Sequence, residues 1–138
     1  MATRSRIGIE REGGRVESIY CHYDGYPAGV GETLLNHYQN PEKVEKLIAL
    51  GAISSLGEEV EPSGPHSFNA PQDGVTVAYH RDRGEKRDAN KMAQSVAAYF
   101  KDNGGWEDYI YLYTAEGQWL FCEVGETPQV LTADHVAF

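Results

Sequence analysis

Cysteine is scarce in this chain: Cys21 and Cys122 are the only two in 138 residues. A disulfide scaffold needs a denser set, so the fold must rest on apolar burial, and a reducing, cytoplasmic setting is expected. Each cysteine lies in an apolar, strand-like run, where a thiol acts as a small buried hydrophobe. Long hydrophobic runs are missing too. None approaches the roughly 18 residues of a membrane span, and nothing ahead of Arg4 reads as a secretory signal, so no membrane partner is expected. Positive charge is in deficit, with 12 Lys and Arg against 21 Asp and Glu and a net charge of −9. Such a surface repels phosphate backbones, which argues against a nucleic acid polymer as partner. Self-identifying catalytic motifs are also lacking: there is no Gly-x-Ser-x-Gly and no His-Glu-x-x-His. Nothing in the chain calls for a cofactor.

What is present is an ordinary globular composition of one-domain length, 41% apolar and 24% charged, with nine tyrosines. Ile7 and Ile9 alternate with Arg6 and Gly8, a strand pattern over Arg4 to Arg11. Glu12-Gly13-Gly14 is a turn signal, and Arg15 to Tyr23 returns as a second strand. Asp24 to Gly31 reads as a glycine-rich loop running into a helical stretch, Glu32 to Tyr38. Asn40-Pro41 is a strong helix start, with Val44, Leu47 and Ile48 on one face and Gly51 at the stop. Pro62 to Gly74 holds three prolines and two glycines and reads as a surface loop. Val75 to Arg81 alternates as a strand, and Asp82 to Asn90 is a charged loop. Lys91 to Lys101 reads as an amphipathic helix with Met92, Val96, Tyr99 and Phe100 inward, ended by Asp102 to Gly105. Tyr109 to Tyr113 and Trp119 to Val124 form a second hairpin. The apolar tail from Thr127, with Val130, Leu131, Val136 and Phe138, adds an edge strand or docks on the core. The expectation is one α+β domain: an antiparallel sheet of about five or six strands with two to three helices packed on it.

Three segments carry groups suited to binding. In Tyr20 to Pro27, alternation puts Tyr20, His22 and Asp24 on one face and Tyr23 on the other. A histidine and a carboxylate two positions apart can form an acid–base pair or two metal ligands, although a packed histidine beside an Asx turn is the commoner arrangement. The glycines from Gly25 to Gly31 could offer unpaired amides to an anion at a helix start. Tyr79 to Glu85 holds Arg81 and Arg83, which could grip a phosphate unless Asp82 and Glu85 neutralise them.

The segments Thr3 to Gly8, Ile19 to Pro27 and Tyr79 to Glu85, with the Tyr109 to Tyr113 hairpin and Trp119, resemble a family of small bacteriophage and prophage proteins. No activity is attached to that family, so no catalytic residue is carried over from it. The resemblance implies a counter-defence protein acting in the host-cell cytoplasm, some classes of which sequester nucleotide signals.

The leading expectation is therefore a binder of a small nucleotide-like anion that performs no chemistry on it. Arg4, Arg6, Arg81 and Arg83 would hold the anion, Tyr23 and Tyr26 would stack, and His22 and Asp24 would make polar contacts. Sequestering proteins often build sites between subunits, so a homo-oligomer is expected. Two alternatives stand beside it. One is an acidic inhibitor of a host defence enzyme, drawing on Glu42, Glu45, Glu58, Glu59 and Glu61, which Lys43 and Lys46 interrupt. The other is a metal-dependent phosphodiesterase using His22, Asp24, His80 and Asp82.

Overall fold

The structure, a computed structural model, describes residues 2–101 and 107–136. The first hairpin forms where alternation and glycine demand it. β1 (Ser5–Glu10) pairs antiparallel with β2 (Val16–Cys21), placing Arg6 opposite Tyr20 and Gly8 opposite Ser18. Between them Gly13 and Gly14 both take φ near 80°, which side chains with a Cβ resist. A single π-helical turn over Pro27–Gly31 leads into α1 (Glu32–His37). In α2 (Pro41–Ala49) the Asn40 side chain accepts from the Glu42 amide at 2.8 Å, and Val44, Leu47 and Ile48 are buried. Burial of each such aliphatic side chain contributes about 1.5–3 kcal/mol.

Beyond α2 the chain is less regular. β3 (Ile53–Ser55) and β4 (Val77–Ala78) are short, and α3 (Tyr79–Arg83) follows β4 directly. β5 (Lys91–Ala93) precedes α4 (Val96–Lys101). The second hairpin is β6 (Tyr109–Tyr113) and β7 (Trp119–Glu123), and the tail supplies β8 (Gln129–Val130) and α5 (Ala133–Val136).

The eight strands run in the order β4-β3-β2-β1-β6-β7-β8, with β5 also on β2. β1 and β6 are parallel, as are β2 and β3, and the other pairs are antiparallel. The expected antiparallel sheet of five or six strands with two to three helices is thus corrected to a mixed, eight-stranded sheet with five α-helices among the described residues. The reason is physical. The parallel pair joins the two hairpins across a long stretch of sequence, and strands of two or three residues are too short to show a period.

Two local expectations fail in the same way. Val75 to Arg81 is extended only to Ala78, because Asp82 Oδ2 accepts from the Ala78 amide at 2.7 Å and turns the chain into α3. Lys91 to Lys101 is not one helix. Its first three residues pair with β2 and leave Met92 49% exposed rather than inward. The stop expected at Asp102 to Gly105 lies outside the described residues. The tail, expected to add an edge strand or dock on the core, pairs through β8 and also buries Leu131 and Val136, while Phe138 lies outside the described residues.

The sheet is covered on both faces. Ile7, Ile19, Tyr111 and Phe121 pack with Leu34 of α1, Leu47 of α2 and Val136 of α5. On the opposite face Val16, Ile110, Leu112 and Cys122 pack with Tyr99 and Phe100 of α4. Gly8 lets α4 approach, since a Cβ there would lie 2.8 Å from the Tyr99 ring. Both cysteines are free and buried.

Most of the buried tyrosines pin backbone. Tyr38 donates to Gly57 O, Tyr99 to Tyr111 O, Tyr111 to Gly25 O and Tyr113 to Gln39 O, at 2.6–2.8 Å. Burial pushes the Tyr38 hydroxyl up to about 12 and that of Tyr99 well above its ordinary value. Among the described residues no helix is long and apolar enough to cross a membrane.

Candidate functional site

The outer edge of β2 is shared. β5 pairs with its first half, from Val16 to Ser18, and β3 joins it only at Cys21. Between these two partners a cleft of about 250 Å³ opens over the face that α4 leaves uncovered. Its floor is Arg6, Ser18 and Tyr20, residues that strand alternation and the hairpin register place side by side. One wall is Leu50 and Ala52 after α2. The other is Tyr79 and His80 of α3 with the segment from Glu85 to Lys91.

Arg6 is the central cation. Its side chain is 14% exposed, and Nη1 donates to Ser18 Oγ at 2.9 Å. Its Nε lies 3.7 Å from Glu107 Oε1, beyond hydrogen-bond range, and has no acceptor among the described residues. Lys86 on the wall is exposed and makes no ion pair or hydrogen bond among the described residues. Arg87 is occupied: it caps α2 by donating twice to Ala49 O, at 3.0 and 3.1 Å, and bonds Asp88 O. Asn90 ties the same segment down by donating to Ile48 O and Glu17 Oε2.

At one end of the floor, Tyr20 Oη lies 2.7 Å from His22 Nδ1, and Arg4 hydrogen-bonds the same hydroxyl. Burial raises the Tyr20 pKa while Arg4 pulls it the other way. Three of the expected residues, Arg4, Arg6 and His22, therefore come together here: Arg6 lines the cleft floor, and Arg4 and His22 bond the hydroxyl of the neighbouring Tyr20.

The others stand elsewhere. Tyr23 and Tyr26 are 48% and 38% exposed and do not line the cleft, although Tyr23 packs edge-on against His22. Asp24 takes φ 59°, the one positive value outside glycine among the described residues, and accepts from Tyr26 Oη at 3.2 Å. Arg81 donates to Asp82 Oδ1 and Oδ2, Val60 O and Thr76 O, all at 2.6–3.0 Å. That arginine is part of the framework. His66 Nε2 adds a third side to Asp82 at 3.1 Å, and Phe68 N donates to Asp82 O, so the Pro62 to Gly74 loop is fastened to α3. Burial works against the Asp82 charge, yet Arg81, the Ala78 amide and His66 outweigh it and hold its pKa at about 2. Arg83 pairs with Glu85 and lies over the Phe68 and Tyr79 rings, 4.5 and 5.2 Å from their centres.

Three amides of the glycine loop are already taken by backbone carbonyls. Gly25 N donates to Thr3 O, Gly29 N to Tyr26 O and Val30 N to Asp24 O. His22, Asp24, His80 and Asp82 do not gather, and among the described residues no three His, Cys, Asp or Glu side chains could share a metal ion. The sequence reading missed Tyr20, Tyr79 and Lys86 as cleft residues. The signal for Tyr20 was available, because the tight Gly13-Gly14 turn sets the register that puts it opposite Arg6.

Comparison with protein-family models, curated proteins and solved structures returns no match to this chain.

Proposed function

We propose that the protein binds a small nucleotide-type anion in the cleft at the β2 edge and sequesters it unchanged. The observation that carries this reading is Arg6: a guanidinium at the cleft floor, 14% exposed, held in place by Ser18 Oγ and by its ion pair with Glu107 at 3.7 Å, whose charge an arriving phosphate would meet. Lys86 adds exposed charge, and Tyr20 offers a ring face on which a base can stack. A volume of about 250 Å³ suits one phosphate and one ring better than an extended ligand. In the setting that the phage resemblance implies, such a protein withdraws a nucleotide signal from a host immune response.

Native mass spectrometry with a panel of cyclic and linear nucleotides tests the reading. The expected result is a retained nucleotide, recovered unchanged after denaturation, and lost in a folded Arg6→Ala, Lys86→Ala double variant. The same spectra count the subunits and so test the expected homo-oligomer. A hydrolysed product would replace sequestration with catalysis, and undiminished binding by the double variant would move the site away from this cleft.

A further inference from the structure

Resting on that reading, we infer that His22 is a proton-operated positioning residue: its protonation turns the Tyr20 hydroxyl into the cleft and couples anion binding to proton uptake. The argument follows from what each atom can do. A neutral imidazole with its proton on Nε2 offers Nδ1 as an acceptor. At 2.7 Å the Tyr20 hydroxyl then donates to Nδ1, while its oxygen accepts from Arg4. In this state the one proton of the phenol points away from any ligand. When His22 gains a second proton from solvent, Nδ1 becomes a donor. Two donors, His22 and Arg4, then face the phenol oxygen, and its hydroxyl proton must turn elsewhere. Tyr20 lines the cleft floor beside Arg6, so the freed O–H has an anionic ligand as its acceptor.

The surroundings set the sign of the coupling. The groups facing this pair are Arg4 just ahead of β1, Tyr79 from α3, Cys21 of β2 and Tyr23 beyond it, with His80 and Lys86 on the cleft wall. A bound anion beside the pair favours a charged imidazole, so ligand and proton favour one another. Histidine changes charge between about pH 5 and 8, so the effect falls in an accessible range.

The experiment is isothermal calorimetry with a cyclic mononucleotide, whose phosphodiester charge is constant over this range, in two buffers of different ionisation enthalpy. Affinity should tighten by about tenfold from pH 8 to pH 5.5, a change of about 1.4 kcal/mol, with net proton uptake on binding. His22→Gln should lose both the pH dependence and the uptake. Tyr20→Phe should weaken the dependence, and His80→Gln should retain it. An unchanged pH profile in His22→Gln would overturn the inference while leaving the cleft reading intact. No binding at any pH, in the parent protein, would overturn the reading beneath it.

Discussion

Arg81, in α3 beyond the edge strand β4, and Arg6, on the central strand β1, have opposite fates. Arg81 spends its guanidinium on two carboxylate oxygens and two backbone carbonyls, closing a buried knot with Asp82. Arg6, only 14% exposed, keeps Nε without an acceptor among the described residues. Both read as anion ligands in sequence. The difference teaches that availability, rather than charge, marks a binding arginine, and availability depends on acceptors that come from distant segments such as Val60 and Thr76.

Breaking each side of this comparison should produce different losses. Arg81→Ala should cost the most stability, about 3–5 kcal/mol, because it leaves the Asp82 carboxylate, 5% exposed, without its main partner. Denaturant unfolding measures it, with ligand affinity unchanged in the fraction that folds. The knot also has an acid signature. Its folded pKa of about 2 lies below the ordinary 3.8, so its stabilisation is complete above about pH 4 and fades as pH falls through 2. An Asp82→Asn variant should lack that arm of the acid-unfolding curve. Arg6→Ala comes next and acts on binding as well as on the fold: the loss of a charge-assisted contact worth about 1.5–3 kcal/mol should weaken nucleotide binding ten- to a hundredfold, and taking Arg6 away from the buried Glu107 carboxylate should also lower the unfolding midpoint. Arg83→Ala should do least. Its half-exposed guanidinium stacks on Phe68 and Tyr79, an interaction worth about 0.5–1 kcal/mol, so only a small drop in thermal midpoint is expected.

The parts of the fold that sequence made legible are those with local rules. Glycine pairs at Gly13-Gly14, the Asn40-Pro41 cap and the alternation of Ile7 with Ile9 each place an element from a handful of neighbours. What escaped was decided by partners far along the chain. Lys91 to Ala93 has a helical pattern, yet the free edge of β2 captures it as a strand. The alternation from Val75 to Arg81 ends early because Asp82 reaches back to the Ala78 amide. The parallel register of β1 with β6, Ile7 beside Tyr111, leaves no trace in either strand alone. The site was legible to the same extent. Arg4, Arg6 and His22 share a face by strand period, whereas the wall residues enter only through the β5 and α3 connections.

The forked edge of β2 separates two jobs within one small chain. The cleft floor belongs to a hairpin whose register is fixed by glycine turns and by burial on both faces. The wall from Glu85 to Ala89 carries no strand and touches the frame mainly through Arg87 and the neighbouring Asn90. The floor is thus a chassis and the wall an interchangeable jaw. Insertions between Glu85 and Lys86, or a changed residue at Lys86, with Arg87 and Asn90 kept, can reshape what the cleft admits without disturbing a single ladder of the sheet.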